Sequence, residues 1–428
     1  MNTHVKHLII GGGLAGLSCA TRLAGRGQEF SVVEATDRVG GRVRTDQVDG
    51  FHLDHGFQVL LTAYPACREL LDYDALRLRP FDPGALIRQA GRFAVLGDPW
   101  RRPSQALATA VNPVGSLSDK LRIAKLRYTS RLGSLDDLYH RTDAPTIDRL
   151  RHDGFSDSMI DGFFKPFLGG VYLDESLRVS SRMLEFVFRM FAEGDIAVPA
   201  DGMAAIPRQL ADRLPRGSLR FHNAVTNLTF DGRRYRAALS DESTMTADHV
   251  VVAVESPAAA ALLGGESVAT DWSGTTNLYY AAEESPDARR LLMLRGDESG
   301  IVQTAVVLSN VAPEYAPVGR ALISVSVDAK DHDPETGDTR TIDAAVRNHL
   351  VDWFGDVVRT WRLLRTYRVP YGLPKRVLDP VLRDVAIDEL GGRKVPDGTL
   401  FCCGDHSETP SIQGAMNSGL RVAAELTD

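Results

Sequence analysis

The hydrophobic positions near the N-terminus predict a strand, a helix and a second strand in close succession. "HVKHLII" (residues 4–10) is a short, mostly apolar run typical of a buried strand. "LAGLSCATRLAGRG" (14–27) carries apolar residues at helical spacing, with Gly25 or Gly27 placed to end the helix. "EFSVVE" (29–34) is a second apolar run. The pattern predicts a strand–turn–helix–strand unit of roughly thirty residues.

Further along, the pattern changes at about residues 76, 198 and 266. "ALIRQAGRFAVL" (85–96) alternates as a hairpin does, and helical spacing then prevails up to residue 194. Residues 201–214 predict a helix that precedes several short strands, and strands with alternating polarity follow. The tail, "TLFCCGDHSETPSIQGAMNSGLRVAAEL" (399–426), returns to strand, turn and helix.

These changes predict an α/β fold, α+β overall, in which a Rossmann-like nucleotide-binding domain is interleaved with a substrate domain of mixed sheet and helices. A chain of 428 residues is too long for one ordinary core, which also favours two domains. We expect the binding domain to comprise residues 1–75, 198–265 and 361–428. We expect the substrate domain to comprise residues 76–197 and 266–360.

Composition narrows the class of protein. Hydrophobic residues make up 43% of the chain and charged residues 25%, which is ordinary for a soluble enzyme. The net charge of −7 argues against nucleic-acid binding. The cysteines show neither disulfide nor metal-ligand spacing. We therefore expect no metal site, and we expect the protein to be in a reducing compartment. Without a signal-like or membrane-spanning apolar run, the expected location is the cytoplasm.

The first candidate site is a glycine-rich turn between the first strand and its helix. Gly11 permits a tight turn, Gly13 allows backbone to approach a pyrophosphate, and Gly16 allows close packing of helix on strand. The helix begins at about Leu14 and Ala15, where free N–H groups and the positive end of the helix dipole favour phosphate. Glu34 ends the second strand and is placed to accept hydrogen bonds from ribose hydroxyls, which disfavours NADP. A glycine-rich turn without a nucleotide is the alternative.

A second glycine loop follows almost at once in "VVEATDRVGGRVR" (32–44). Gly40 and Gly41 allow another close backbone approach, and Arg42 provides a planar donor group suited to phosphate. A nicotinamide site has no need of this second loop, whereas a larger, enclosed dinucleotide does. The pair of loops therefore favours FAD over NAD, and a solvated basic turn is the alternative.

These motifs resemble the flavin-containing amine oxidase superfamily, in its phytoene-desaturase and protoporphyrinogen-oxidase-like branch, over nearly the whole chain. "VVEATDRVGGRVRT", "GFHLDHGFQVL" (50–60), "VPADGMAAIPRQLA" (198–211) and "CGDHSETPSIQGAMNSG" (403–419) carry the likeness. The resemblance implies FAD, and we expect it to be noncovalent because no cysteine lies between Cys67 and Cys402 to form the covalent link of some amine oxidases. It also implies further cofactor contacts at Ala35, Gly56, Phe57, Gln58, Val225, Gly404, Asp405, Ile412 and Gln413.

The closing motif also has a physical interpretation. Thr409 and Pro410 suit the N-cap and first position of a helix whose positive end would face the flavin. Gly414 and Gly419 in that helix predict a close approach to backbone or cofactor. His406 and Glu408 are the titratable groups nearest the site in sequence. They either accept or relay a proton, or are satisfied loop residues.

The choice of substrate rests on two absences from the family pattern. Amine oxidases of this family typically place a lysine in the substrate domain, and no lysine occurs between Lys165 and Lys330. Ser411 stands where an aromatic residue of their amine-binding cage is usual. The resemblance therefore implies hydride removal from an apolar, isoprenoid-like substrate to flavin N5, with reoxidation by O2 or a quinone. The alternatives are an amine oxidase and a flavin-free, partner-binding protein of the GDP-dissociation-inhibitor type.

Two helical segments leave a choice of interpretation. "MLEFVFRMFA" (183–192) is apolar nearly all round and either lines a substrate tunnel or is simply buried. "LSDKLRIAKLRYTSRL" (117–132) repeats apolar residues at helical spacing between basic ones. It is either a peripheral membrane contact or a helix with a solvated face.

Overall fold

The computed structural model describes residues 2–103, 112–264, 270–328, 338–375 and 385–427. An eight-stranded sheet contains the predicted N-terminal unit, and parallel pairing joins its central strands. Its main path runs Leu219–Arg220, Phe30–Val33, Asn2–Ile10, Thr244–Val252, Tyr235–Leu239 and Val225–Phe230, with Leu400–Cys402 beside Thr244–Val252 and Val385–Ala386 at its edge. Helices Leu14–Gly25 and Ile412–Glu425 pack on each other along this sheet. The predicted Rossmann-like element is confirmed.

A seven-stranded sheet forms the second layer of the molecule. Its order is Arg362–Lys375, Asp271–Ala282, Ala321–Asp328, Val302–Val307, Leu292–Leu294, Gly84–Gln89 and Arg92–Gly97. Only the pair formed by Leu292–Leu294 and Gly84–Gln89 is parallel, so the sheet is mixed, as predicted. Its apolar face packs against helix Thr339–Phe354 through Ile342, Val346 and Leu350.

Helices fill the space around the two sheets. The remaining α-helices are Pro65–Leu70, Tyr73–Leu76, Leu117–Ser130, Leu135–Tyr139, Thr146–His152, Asp157–Met159, Lys165–Tyr172, Ser181–Glu193, Ala205–Ala211, Ser256–Leu263 and Leu308–Val311. A π-helical turn covers Ile160–Phe164, and 3-10 turns cover Pro313–Tyr315 and Asp356–Thr360. Short strand pairs complete the fold: Thr45–Val48 with Phe51–Asp54, Ile196–Val198 with Leu60–Leu61 and Arg79–Pro80, and Glu389–Leu390 with Arg393–Lys394. No helix of these described ranges has the length and apolar character needed to cross a membrane.

One expected domain boundary does not follow the sheets. Strand Arg362–Lys375 was assigned with the third part of the binding domain, but it pairs antiparallel with Asp271–Ala282 in the seven-stranded sheet. Because long-range pairing decides which sheet a strand joins, the local pattern could not reveal this. The boundary expected at residue 265 lies outside the described residues. The division into two domains otherwise stays a prediction.

Candidate cofactor and substrate site

A cavity of about 500 Å³ lies at the edge of the eight-stranded sheet where its parallel strands end. Strands that end at Ile10, Val33, Val252 and Cys402 run in one direction, so the residues after them meet at this edge. Those residues and the second glycine loop form one end of the cavity, which we call the cofactor end: Gly11, Gly13, Glu34, Gly40, Gly41, Arg42, Ala253, Val254, Glu255, Gly404 and Asp405. The edge is where open α/β sheets bind ligands.

The three glycines of the first loop have different environments. A Cβ on Gly11 would lie 2.5 Å from the carbonyl oxygen of Ala253, and one on Gly16 would lie 2.1 Å from that of Gly11. Gly11 also has φ of 111°, which side chains rarely adopt. A Cβ on Gly13 would meet nothing within 4 Å. Gly11 and Gly16 thus allow close packing of the chain on itself, while Gly13 leaves an open backbone surface at the start of the helix.

Glu34 is buried at the cofactor end and holds the loops around it. Its Oε2 accepts a hydrogen bond from the Gly12 N–H at 2.8 Å. Its Oε1 accepts from the N–H of Thr36 at 2.9 Å and from the Thr36 hydroxyl at 2.7 Å. Because carboxylate oxygens accept more than one hydrogen bond each, Glu34 still has capacity for ribose hydroxyls. It therefore both orders the first glycine loop and suits the predicted role.

The second glycine loop lies directly on the first. The Gly40 N–H donates to the Gly12 carbonyl at 2.8 Å, and a Cβ on Gly41 would lie 3.4 Å from the Cα of Gly13. Gly40 and Gly41 both have positive φ, 119° and 57°. The backbone conformation thus accounts for the glycine pair, and the two loops together form one backbone surface.

Arg42 connects the beginning of the chain to its end. Its guanidinium donates to Asp405 and, at 3.0 Å, to the carbonyl of Gly372, and it lies 3.6 Å from Glu255. Burial by itself would lower the pKa of Arg42, but Asp405 and Glu255 raise it overall. The guanidinium also lies 4.9 Å from the centre of the Trp272 ring. Arg42 therefore lies at the cofactor end as a fixed positive charge.

Residues 55–58 form another part of the wall. Gly56 has φ of 89°, and the Gln58 amide donates to the Arg42 carbonyl at 2.9 Å. The buried Oε1 of Gln58 has no hydrogen-bond partner. An unpaired buried acceptor beside a cavity is a favourable partner for a ligand N–H group. Together with the bare backbone at Gly13 and the charged groups, this atom makes the cofactor end fit a dinucleotide with a hydrogen-bonding ring.

His55, in the same stretch, is held by a network that the sequence analysis missed. Its Nε2 lies 3.0 Å from Asp46, which also accepts hydrogen bonds from Tyr367 at 2.8 Å and Arg38 at 2.7 Å. Partial burial raises the pKa of Asp46, but the bonds from Tyr367, Arg38 and His55 outweigh it and hold that pKa at about 2. Burial lowers the pKa of His55. The imidazole at the cavity wall is therefore neutral at pH 7.

The C-terminal segment reaches the cavity at the start of its helix. The predicted N-cap, Thr409 followed by Pro410, is wrong: the helix begins at Ile412, and the Ser411 hydroxyl accepts from the Gly414 N–H at 3.1 Å. The Thr409 hydroxyl instead hydrogen-bonds the Tyr139 hydroxyl at 2.8 Å. A tertiary contact thus takes up Thr409, and the next free hydroxyl provides the cap.

Gly414 and Gly419 in this helix lie close to backbone atoms of other segments, as predicted. A Cβ on Gly414 would lie 1.9 Å from the carbonyl oxygen of Thr409. One on Gly419 would lie 2.0 Å from the carbonyl oxygen of Ala15, on the first helix. The first and last helices therefore pack backbone to backbone.

Most of the predicted cofactor residues line this one cavity: Gly11, Gly13, Leu14, Ala15, Glu34, Gly40, Gly41, Arg42, Gly56, Phe57, Gln58, Gly404, Asp405 and Ile412. Gly16, Ala35, Val225 and Gln413 are not among its lining residues. Ala35 is exposed, and the Gln413 side chain accepts a hydrogen bond from the Ala66 N–H at 2.9 Å. Direct contact with the cofactor stays a prediction for all of these residues, and the cavity wall supports it for those that line the cavity but not for these four.

The two candidate proton acceptors near the C-terminus differ in position. His406 lines the cavity and is buried, with its Nε2 3.6 Å from the Cys402 sulfur. Glu408 does not line the cavity and pairs with Arg421 and, at 2.7 Å, with Asn417. An ion-paired carboxylate that does not line the cavity is poorly placed to take a proton from a ligand. The structure therefore favours the interpretation of Glu408 as a satisfied loop residue.

The opposite end of the cavity, which we call the substrate end, is apolar. Helix Ser181–Glu193 contributes Met183, Val187 and Phe191, so the segment interpreted as tunnel-lining or buried does line the cavity. Its further wall consists of Val59, Leu61, Tyr64, Phe81, Phe167, Val171, Leu173, Ile196 and Leu292, with Gln303 and Thr304 as polar members. The carboxylate and guanidinium side chains that line the cavity, Glu34, Arg42, Glu255 and Asp405, all belong to the cofactor end.

Comparison with known proteins decides the family. The sequence model described as "Flavin containing amine oxidoreductase" matches residues 14–427, nearly the whole chain. The chain belongs to this family of flavin oxidoreductases. The resemblance found in the motifs is confirmed, FAD is the cofactor, and an enzyme is favoured over the flavin-free partner-binding alternative.

Individual members of the flavin oxidoreductase family match less completely. A coproporphyrinogen III oxidase of Propionibacterium freudenreichii is 29% identical over 40% of this chain and 32% of its own length. A phytoene dehydrogenase of Streptomyces griseus is 27% identical over 61% of this chain and 56% of its own. A solved putrescine oxidase bound to putrescine superposes with a TM-score of 0.71 at 17% identity, covering 100% of this chain and 99% of the oxidase. The chain thus aligns with about a third of the first curated relatives' length, and the likeness to the solved structure shows the fold alone.

Several wall residues of this flavin oxidoreductase were not predicted from its sequence motifs. Ala253, Val254 and Glu255 follow the central parallel strand Thr244–Val252, and the apolar run "HVVVAVES" was the signal that could have located them. Burial raises the pKa of Glu255, and Arg42 opposes that rise. His55 could have been found from the hairpin that brings Asp46 opposite Leu53, two residues away.

Proposed function

We propose that this flavin oxidoreductase removes a hydride from an apolar substrate of elongated, isoprenoid-like character, with O2 or a quinone as the final electron acceptor. The observation that supports this most directly is the separation of charge within the cavity. Charged side chains line the cofactor end, whereas aliphatic and aromatic side chains line the substrate end. An apolar ligand gains roughly 25 cal/mol per Å² of surface that it buries there.

The chain's own residues divide the work in this proposal. Backbone at Gly13, Gly40 and Gly41 would face the dinucleotide, Glu34 would accept hydrogen bonds from its ribose hydroxyls, and Arg42 would provide positive charge beside it. FAD, when bound, supplies a two-electron acceptor for the hydride. The walls formed by Met183, Val187 and Phe191 exclude water and orient the substrate by shape.

We further propose His55 as the group that accepts the proton released when a double bond forms. The ionised Asp46 accepts from Nε2–H of His55 and fixes that tautomer, which leaves Nδ1 with a free electron pair. Overall the substrate loses one hydride, taken by the cofactor, and one proton, taken by His55. His406, which also lines the cavity, is the competing acceptor.

The test of the substrate class is reduction of the protein-bound flavin under anaerobic conditions. Carotenoid precursors, other isoprenoids and porphyrinogens form the apolar set, and mono- and polyamines form the polar set. We expect fast, saturable bleaching of the flavin absorbance with a member of the apolar set, followed by reoxidation with O2 or a quinone. Saturable bleaching by an amine, with none by the apolar set, would reverse the choice of substrate while leaving the flavoenzyme assignment intact.

A pH profile separates the two histidines. Because burial lowers the pKa of His55, its imidazole is neutral at pH 7 and becomes protonated, hence inactive as a base, somewhere below pH 6.5. We expect kcat/KM of the wild type to fall on acidification through that range. His55→Gln should lose about a hundredfold in kcat and the acidic limb with it. His52→Gln is the matched control, since His52 does not line the cavity. A retained acidic limb in His55→Gln, lost in His406→Gln, would give the role to His406.

The attachment of FAD is expected to be noncovalent. All four cysteines are buried, none of them forms a disulfide, and none is among the residues that line the cavity. The purified protein should be yellow, and acid precipitation should release the flavin into the supernatant. Colour that stays in the pellet would contradict noncovalent attachment alone. A colourless protein that cannot be reconstituted would overturn the proposal of hydride transfer.

A further inference from the structure

Exposed apolar side chains concentrate in one region of the surface. In the described parts of the chain, nine large hydrophobic side chains are exposed, and five of them lie between residues 100 and 132. We call these five the docking patch: Trp100, Leu117, Leu121, Tyr128 and Leu132. Leu121 and Tyr128 are each 66% exposed and Leu117 is 62% exposed. Single exposed hydrophobics are common, but a cluster of this kind indicates a surface that meets something apolar.

The docking patch has a defined geometry. Leu117, Leu121 and Tyr128 follow one face of helix Leu117–Ser130, and Leu126 and Ser130 are buried on the opposite face. A capping box formed by Ser116 and Asp119 fixes the helix start. The outer face of a well-formed helix therefore provides Leu117, Leu121 and Tyr128 of the patch.

Trp100 belongs to the same surface. The guanidinium of Arg127 lies 5.2 Å from the centre of the Trp100 ring, and it also lies 3.1 Å from Asp98. This stacked arrangement holds the indole beside the helix. Tryptophan and tyrosine are the aromatic side chains that favour the boundary between lipid and water.

The charged side chains that this helix presents to solvent are all basic. Residues 117–132 contain Lys120, Arg122, Lys125, Arg127 and Arg131 and a single acidic residue, Asp119. Asp119 is fully buried and caps the helix start. Some of the basic groups have partners within the protein: Arg122 pairs with Asp119, Arg127 with Asp98 and Arg131 with Glu193. Lys125 is exposed and makes no ion pair with a described residue. The outward face thus combines apolar and basic groups in a chain whose net charge is −7.

The helix that bears the patch lies against a wall of the cavity. Arg127 donates to the carbonyl of Ala192 at 3.3 Å, and Arg131 lies 3.8 Å from Glu193, both on helix Ser181–Glu193. Another face of that second helix presents Met183, Val187 and Phe191 to the substrate end. The docking patch is therefore one helix away from the space that we propose for an apolar substrate.

We propose that the docking patch binds the surface of an anionic lipid bilayer, with Trp100, Leu121 and Tyr128 in the interfacial region and the basic side chains at the lipid phosphates. Apolar groups with basic ones beside them on the same helix match this surface, because they meet hydrocarbon and negative charge together. A symmetric contact between two copies of the chain is the weaker match, since it would place the same basic groups against each other.

The route of the substrate rests on the proposed function; the lipid contact does not. An apolar substrate dissolved in a bilayer would reach the cavity without crossing water if the protein sits on that bilayer. Binding to vesicles, however, needs neither substrate nor turnover. Vesicle binding by a protein that oxidises only amines would support this inference and contradict the proposed function. Oxidation of an apolar substrate by a protein that does not bind vesicles would support the proposed function and contradict this inference.

The experiment is sedimentation of the flavin-loaded protein with vesicles. Vesicles of phosphatidylglycerol and phosphatidylcholine in equal amounts are compared with pure phosphatidylcholine, at low and high salt. We expect partition onto the anionic vesicles that is at least about tenfold stronger than onto the zwitterionic ones, weakened by salt. Leu121→Asp with Tyr128→Asp should lose most of it, and Lys125→Glu should weaken it several-fold.

Val318→Asp and Val357→Asp are the matched controls, because both valines are exposed and lie outside the docking patch. They should bind vesicles as the wild type does, and flavin absorbance reports that every variant is folded. Equal binding of Leu121→Asp/Tyr128→Asp and the wild type would overturn the inference. So would absence of vesicle binding, or a dimer in light scattering that these two substitutions split.

Discussion

The cofactor end and the substrate end of the cavity differ in the groups that form their walls. At the cofactor end, bare backbone at Gly13, Gly40 and Gly41 stands beside Glu34 and Arg42. At the substrate end, the wall is made of side chains from two helices and from two sheets, and it contains neither acidic nor basic groups. The first end therefore has little tolerance for added atoms, and the second has little tolerance for added charge.

The largest expected effect comes from adding a side chain to the cofactor end. Gly13→Val should raise the FAD dissociation constant on the order of a hundredfold, because the new atoms enter space where backbone now faces the cavity, at a cost of about 3 kcal/mol. The apoprotein should keep its unfolding midpoint, since a Cβ there meets nothing within 4 Å. Flavin titration and thermal unfolding of the apoprotein measure the two quantities.

Gly11→Ala is the matched contrast. Its Cβ would lie 2.5 Å from a carbonyl oxygen at φ of 111°, so the apoprotein itself should lose about 3 kcal/mol of stability. If Gly13→Val unfolds the apoprotein as strongly as Gly11→Ala does, the open backbone surface is structural and the comparison of the two ends fails.

Placing a charge at the substrate end should affect turnover and leave cofactor binding alone. Phe191→Asp puts a carboxylate against an apolar ligand, which desolvates the charge, and kcat/KM should fall on the order of a hundredfold. Phe191→Leu keeps the wall apolar and should change kcat/KM by less than about threefold. Flavin content per protein should equal that of the wild type in both variants. A loss of flavin in Phe191→Asp would show that the two ends are not independent.

Removal of the Glu34 carboxylate should weaken the cofactor end by a smaller amount. Hydrogen bonds to a charged group contribute about 1.5–3 kcal/mol each, so Glu34→Ala should raise the FAD dissociation constant about tenfold or more. The apoprotein should remain folded with a lower midpoint, because the Gly12 and Thr36 N–H groups lose their acceptor. Glu34→Gln retains one acceptor oxygen, so its FAD dissociation constant should lie between those of the wild type and Glu34→Ala. Wild-type affinity in Glu34→Ala would remove this residue from the ribose site.

The smallest effect is expected at Ser411, where the two ends meet at the start of the last helix. Ser411→Ala removes the hydroxyl that accepts from the Gly414 N–H and should cost about 1 kcal/mol. Ser411→Thr keeps an N-cap hydroxyl and should behave as the wild type. Chemical denaturation of the apoprotein measures the difference. Equal stability of all three proteins would mean that this cap does not hold the first helical turn.

The cofactor end could be predicted from sequence because its requirements are local. A glycine with positive φ, such as Gly40, or one pressed against a carbonyl, such as Gly16, cannot be replaced by a larger residue without strain. Such positions form short patterns with fixed spacing. Glu34 follows a strand directly, so its place at the sheet edge is equally local.

The rest depended on contacts between distant residues. Thr409 had the better local cap signal, but Tyr139 uses its hydroxyl, and Ser411 caps the helix instead. Glu408 has the chemistry of a proton acceptor, but the structure pairs its carboxylate with Arg421. Strand Arg362–Lys375 joined the sheet of its partner, Asp271–Ala282. In each case the deciding partner lies outside the segment whose pattern was used.

The contact of Gly419 with Ala15 has a consequence for synthesis of the protein. At roughly 5–20 residues per second, the first helix leaves the ribosome roughly 20 to 80 s before the last one that covers it. During that interval the nucleotide loop exists, but Asp405 and the helix beginning at Ile412 do not yet close the cavity. Tight retention of flavin thus becomes possible only when translation has passed the closing motif. We therefore expect flavin colour only in polypeptides whose synthesis has passed the helix Ile412–Glu425.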